Sequence, residues 1–342
     1  MAGALDHQVG MVAEATYGTA LTPTRFYEWD MTRSTHRWNP NVIQGTGMQV
    51  GDGGFERASR SVAVVGQGSG TIGLDYQTRG MGLLIDSFFG NGVSTLVSGT
   101  TYQELFTSAL TGALLPSRTV EYGVVRANAA GTVDQYRYAG VTFPKLTIAC
   151  ATGDICKATA EWDAKSQATG GAVATATYPA GLGTPFHFGQ AAITVGGSVV
   201  VPTTTTLATG GTAVTNARNF TAVLDNQADT DDWALGAVRN QPRVAKRLGT
   251  LEIEARYDDN VYDGYLTAHT TVPVTITFTK TDEALSTGFA QLQLVFPACK
   301  LDENDRPAPS QETPTTPLAL RILKPDTGQA MYVVHRTASA TL

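Results

Sequence analysis

KLTIACATGDICKATAEW, residues 145–162, alternates apolar and polar side chains on either side of a Thr-Gly-Asp tip. Strict alternation is the pattern of a half-buried strand, and a glycine-bearing tip between two such runs is the pattern of a hairpin. With Thr152, Gly153 and Asp154 as the loop, Cys150 faces Cys156, Ile148 faces Ala158 and Leu146 faces Ala160. The apolar sides then coincide, whereas a slip of one residue sends each to the wrong face. The two cysteines fall within reach of a bridge. The preferred reading is a pair of small buried hydrophobes, since free cysteine is among the most buried residue types.

Three further segments alternate in the same way. In GTIGLDYQ, Ile72, Leu74 and Tyr76 oppose Thr71, Gly73 and Asp75; in TLEIEARY, Leu251, Ile253, Ala255 and Tyr257 oppose Glu252, Glu254 and Arg256. VTITFTK sets Val274, Ile276 and Phe278 against three threonines, the half-buried pattern of antiparallel sheets. Helix is scarce. Arg79 to Phe89 carries Met81, Leu84, Ile85 and Phe88 at helical spacing before Gly90, and Asp258 to His269 does so with Val261, Tyr262, Tyr265 and Leu266 after an Asp cap.

The order of features recurs. Phe26 to Thr32 is a strand candidate, followed by a loop holding Trp38, the basic pair Arg57 and Arg60, then Gly70-Thr71-Ile72 opening a strand and a helix. Phe220 to Asn226 is likewise followed by a loop holding Trp233, a basic stretch (Arg243, Lys246, Arg247), then Gly249-Thr250-Leu251 opening a strand and a helix. Phe143-Pro144 and Phe296-Pro297 sit at matching places downstream. The expectation is an all-β, mainly antiparallel sandwich with long hairpins and one or two short flanking helices, pseudo-duplicated as halves 26–167 and 186–342 joined by a flexible linker 168–185. DENDRPAPSQETPTTP, residues 302–317, reads as an exposed loop, and TTTTLATGG as a turn excursion in the second half.

Composition narrows the functions. Of 342 residues, 42% are hydrophobic and 16% charged, well below the roughly 25% of ordinary soluble domains, so much surface is expected to be covered by partners. A formal charge of −6 argues against a domain built to grip phosphate. Asp6, His7 and Glu14 interrupt any apolar leader, so no cleaved signal peptide is expected. No stretch approaches the roughly 18 apolar residues of a membrane span. Three cysteines are too few for a disulfide scaffold.

Motifs of chemistry are missing. GQGSG at Gly66 to Gly70 has the wrong spacing for a nucleophile elbow and reads as a flexible hairpin tip. The glycines between Gly45 and Gly54 fit neither dinucleotide nor phosphate loops. Five histidines stand at no metal-ligand spacing, and Asp229, Asp231 and Asp232 have Trp233 where a calcium loop needs its next ligand, which leaves a solvated acidic loop. Catalytic, cofactor and metal sites are therefore not expected. A secreted adhesin or surface-layer module and a carbohydrate-active β-sandwich enzyme are the rivals from other classes.

EATYGTALTP, residues 14–23, resembles a signature near the start of the tail tube (major tail) proteins of long-tailed, non-contractile bacteriophages of the siphovirus type. GTIGLDYQTRGMGLLIDSFFG, RTVEYG, YRYAGVTFPKLTIACATGDICKATAEW, FHFGQAAITVGG and FAQLQLVFP continue the resemblance in order along most of the chain. It implies a sandwich whose hairpins pair edge to edge between six subunits, giving a hexameric ring with an inner β-barrel; rings stack into the tube through which DNA is ejected without specific binding. It implies as partners further copies of the chain, a tape measure protein, a tail terminator and distal tail proteins. It places the protein in the virion tail after synthesis in the host cytoplasm. Other phage β-structural proteins, such as a tail terminator or head decoration protein, are the alternative within that world. On this reading residues 1–25 form an extended docking arm, with Tyr17, Thr22 and Pro23 contacting an adjacent subunit, and residues 26–342 form a single tube domain. Asp75, Glu252 and Glu254 are expected to face the lumen, where acid repels phosphate. Arg243, Lys246 and Arg247 are expected to pair with acids of the next ring.

Overall fold

A computed structural model describes residues 7–47, 55–109, 112–126, 131–178, 183–236, 238–257, 260–304 and 314–342. The 145–162 hairpin has the register its pattern dictates: Leu146 lies opposite Ala160 and Ile148 opposite Ala158. Gly153 turns its tip at φ +84°, a left-handed conformation that suits glycine. Cys150, Cys156 and Cys299 are free and buried. Burial pushes the Cys150 thiol up to about 11 and that of Cys299 up to about 12.

The first half contains β1 (Gln8–Ala13), β2 (Arg25–Tyr27), β3 (Thr35–Gln44), β4 (Ser61–Asp75), α1 (Gly82–Phe89), β5 (Gly92–Ser98), β6 (Thr101–Thr107), β7 (Arg118–Val125), β8 (Val133–Ala151), β9 (Lys157–Ala164) and β10 (Ser166–Thr169). The second contains β11 (Ala191–Val195), β12 (Val199–Val200), β13 (Thr209–Gly210), β14 (Ala213–Val214), β15 (Ala217–Asp225), β16 (Trp233–Ala234), β17 (Val238–Arg239), β18 (Leu248–Arg256), α2 (Val261–Thr267), β19 (Val272–Ala284), β20 (Phe289–Asn304), β21 (Thr315–Ile322) and β22 (Tyr332–Thr337). Both helices follow an alternating strand, and α1 ends at Gly90 with φ +72°. The Asp cap expected for α2 lies outside the described residues, and Asn260 precedes the helix.

Strand pairing follows one order in both halves, antiparallel throughout. β1 pairs with β2 and β7, and β11 with β14 and β19. The runs β3–β4–β9–β8 and β15–β18–β21–β20 correspond, as do the pairs β7–β8, β8–β10 and β19–β20, β20–β22. The first half adds the β5–β6 hairpin, which extends β22.

β8 and β20 are long because each serves two layers. The ladder of β8 shifts between Thr142 and Lys145, around Phe143-Pro144, and that of β20 shifts where Val272 and Val274 face Cys299 and Phe296, around Pro297. Proline lacks the N–H that a continuous ladder needs, so these are the points where a strand changes partners. Past its proline β8 joins β9 and β15, and β20 joins β21. One layer is consequently a continuous run of eight strands, β3-β4-β9-β8-β15-β18-β21-β20. Its inward side chains, such as Ile72, Leu146, Phe220 and Leu251, meet those of the opposite layer in a single buried cluster.

Two local expectations change. Trp38 lies in strand β3, not in a loop, and Gly66 to Gly70 is not a hairpin tip but the middle of β4 opposite it. A Cβ on Gly66 would collide with Trp38, on Gly68 with Tyr138, and on Gly70 with the Thr35 carbonyl oxygen and Trp162. The glycines let aromatic rings lie against the strand. The expected glycine loop at 45–54 falls mostly outside the described residues, as does most of the proline-rich loop, whose last residues open β21.

Candidate assembly surface and lumen face

The outward side of the eight-stranded layer gathers the acids expected at the lumen. Cross-strand neighbours run in one row from Asp75 through Lys157, Ala149 and Thr221 to Glu252. Asp75 and Glu252 thus stand about 19 Å apart, four strand spacings, on one surface. Glu254 lies one row on, where it accepts a hydrogen bond from Asn219 Nδ2 at 2.5 Å. Alternation within each strand was legible; that two distant strands belong to one layer was not, since it depends on the β8–β15 pairing.

The face is mixed in charge. Lys145 pairs with Glu161 at 2.8 Å, Arg321 with Asp302 at 2.8 Å, and Arg33 with Asp75 at 3.4 Å. Among the described residues Glu252 and Glu254 form no ion pair with a base, so they carry charge that the protomer itself does not offset. Lys145, Arg321 and Arg33 are thus each offset by an acid of the same face.

The three basic residues differ in situation. Arg243 and Lys246 are exposed, with Arg243 Nη1 donating to Gly112 O at 3.1 Å. Arg247 turns inward: its Nε donates to Asn226 Oδ1 at 2.7 Å, and burial lowers its pKa. Its grip on the protomer leaves Arg243 and Lys246 as the freer pair.

The front of the chain, expected to be a docking arm, is over Gln8–Ala13 a strand of the protomer's own sheet, paired on both sides. Beyond it Glu14 collects donors from its own chain. Its carboxylate accepts from Gly18 N at 2.9 Å, Thr119 Oγ1 at 2.7 Å, Gly140 N at 3.0 Å and the Ser117 hydroxyl. Tyr17 lies under Lys165, whose Nζ is 4.8 Å from the ring centroid, and Pro23 is buried against Gly10. Of the three proposed contact residues only Thr22 is exposed. Glu14 is the residue that sequence reasoning missed; its carboxylate opening a tight, glycine-bearing turn was the available signal.

Elsewhere the β3–β4 hairpin extends beyond the sandwich with Val42, Ile43, Val62 and Val64 between 45% and 58% exposed. Among the described residues no group of three or more metal-ligating side chains converges. The Asp229–Asp232 loop is exposed and closed by its own hydrogen bonds, including Trp233 Nε1 to Asp231 at 2.8 Å. No described helix is long and apolar enough to cross a membrane.

The described residues thus form an all-β sandwich with open sheet margins, an uncovered apolar hairpin and a mixed-charge face. A family model described as phage tail tube protein matches residues 4–317. The chain belongs to that family. A comparison with curated proteins gives no match.

Proposed function

We propose that this protein polymerises as stacked rings into the tube through which phage DNA is ejected, with the eight-stranded layer as the inner wall. The observation that carries the reading is the layer itself: one continuous sheet, packed on one side, bearing Asp75, Glu252 and Glu254 on the other. DNA presents about one negative charge per 1.7 Å, so a wall carrying Glu252 and Glu254, which form no ion pair among the described residues, repels it and keeps its passage free of binding.

The two strand sets with one pairing order, β1–β10 and β11–β22, are read as an internal duplication, the first beginning ahead of the 26–167 half expected from sequence because β1 belongs to it. The chain count of the ring then follows from the bore. Barrel strands lie about 4.8 Å apart and tilt by about 40°, so three chains supplying roughly 24 strands give a wall about 48 Å across, and six chains about 96 Å. The narrower passage is the closer fit to a single DNA duplex. Six strand sets from three chains is the ring the strand count favours over the six chains implied by resemblance. Rings stack head to tail, the heterologous contact that builds an open filament. Arg243 and Lys246 face acids of the next ring, and Thr22 supplies the docking contact left to the front of the chain, whose residues 1–6 lie outside the described residues. The tape measure, terminator and distal tail proteins meet the tube at its bore and ends.

Electron microscopy of the purified chain tests the reading. Hollow tubes of constant diameter are expected, with the symmetry of end views giving the chain count; monodisperse particles without a bore under all assembly conditions would overturn it. Tubes of the Glu252→Lys, Glu254→Lys double variant are expected to assemble yet deliver DNA slowly, and unchanged infectivity would remove those residues from the wall.

A further inference from the structure

Where β6 and β21 end and β18 begins, a cavity of about 300 Å³ opens to solvent. Ser108, from the first strand set, forms part of its wall; Lys246, Arg247, Lys324 and Gln329, from the second, form much of the rest. Its charged lining is of one sign. The acids nearest in sequence, Asp225 and Asp326, are not among the residues that line it. Among the described residues, Lys246, Arg247 and Lys324 form no ion pair.

Arg247 makes this arrangement costly. It is half-buried, and the acceptor of its Nε, Asn226 Oδ1 at 2.7 Å, is neutral. Its Nη2 is buried with no hydrogen-bond partner among the described residues, and the Ser108 hydroxyl oxygen is in the same condition. Burial lowers the pKa of Arg247, and no neighbouring acid opposes that shift. Arg118 and Arg239 differ. Both are buried, and each meets a carboxylate, Asp86 and Asp163 respectively. A charge taken out of water is expensive unless an opposite charge meets it, and the protomer supplies none to Arg247.

We propose that this cavity binds one oxyanion, a phosphate or a carboxylate group, which brings Arg247 the negative charge its own chain does not. Lys246 and Lys324, both exposed, add attraction at the opening. A guanidinium and a hydroxyl are both donors suited to oxyanion oxygens. The volume lies at the lower end of small-ligand sites, which fits one anionic group better than an extended ligand. The site stands on the protomer alone. Where the oxyanion is a carboxylate of a second copy, the site deepens the stacked-ring reading by naming the bases that receive it.

Titration of the free protomer with inorganic phosphate at constant ionic strength, followed through the amide resonances of residues 246–249 and 328–331, tests the site. A saturable shift is expected, with Arg247→Gln and Lys324→Gln each weakening binding about fivefold or more. Lys324 is exposed, so its variant decides alone if Arg247→Gln does not fold. Shifts that fail to saturate, or that saturate alike in wild type and Lys324→Gln, would overturn the inference. A second arm separates the sources of the anion. If a neighbour's carboxylate is the occupant, phosphate raises the concentration needed for wild-type tube growth and Lys324→Gln removes that effect. A threshold that phosphate does not move assigns the site to a dissolved oxyanion. Failure of the chain to form tubes at all removes the ring reading and leaves the phosphate titration to decide the site.

Discussion

The β8–β15 joint and the free margins of β3 and β20 are the same kind of strand in two conditions. Within the joint, Phe220 and Ile148 are buried and every strand is flanked on both sides. On β3 the inward residues His36 and Trp38 are only half-buried, and the hairpin beyond Pro40 leaves four aliphatic side chains uncovered. What separates the two is whether the protomer itself supplies a neighbour on both sides of the strand.

Breaking the closed side has the largest effect. Phe220 is 2% exposed and packs against Phe278 with ring centroids 5.9 Å apart. Phe220→Ala is expected to lower protomer stability by about 3–5 kcal/mol, measured by urea unfolding; a loss below about 1 kcal/mol would mean that the joint is not part of the folded unit. Glu14→Ala is next. Removing a carboxylate that serves donors from its own turn and from two distant segments is expected to cost about 2 kcal/mol in the isolated protomer. A protomer of unaltered stability would return this stretch to the role of an arm.

The open side responds in assembly first. Ile43 and Val62 are paired across the β3–β4 hairpin and more than half exposed. Ile43→Ser with Val62→Ser is expected to change protomer stability by no more than about 0.5 kcal/mol yet raise the concentration needed for tube growth about tenfold, the equivalent of roughly 1.4 kcal/mol. Light scattering against concentration measures it, and an unshifted threshold takes the hairpin out of the contact.

The smallest effect is that of pH on β3. His36 stacks on Tyr122 at 4.4 Å and hydrogen-bonds with Tyr138 Oη at 3.2 Å, and burial holds its pKa below the usual histidine range. The folded protein thus prefers the neutral ring. Its contribution is complete above the unfolded pKa of about 6.5 and is lost as pH falls from there through the folded value. The wild type is expected to lose stability across that window, with His36→Gln flattening the profile; parallel profiles would assign the acid sensitivity elsewhere.

Much of this was legible in the sequence because it is local. The hairpin at 145–162, both helices and the inward-outward sorting of Asp75, Glu252 and Glu254 follow from period-two or period-3.6 patterns within a dozen residues. β3 was hidden because Asn39-Pro40-Asn41 carries poor strand formers, tolerable only on a margin. The prolines after Phe143 and Phe296 repeat visibly, but their effect, sending one strand into two layers, depends on partners far along the chain. Glu14 was missed for the same reason: Thr119 and Gly140, two of its donors, lie more than a hundred residues away.

A cryo-electron microscopy map of assembled tubes, at a resolution that separates strands, tests the central claim most directly. The account predicts an inner wall formed by the eight-stranded layers, with Glu252 and Glu254 pointing into the bore. A tube whose bore is lined by other strands, with the eight-stranded layer on its outside, would contradict it.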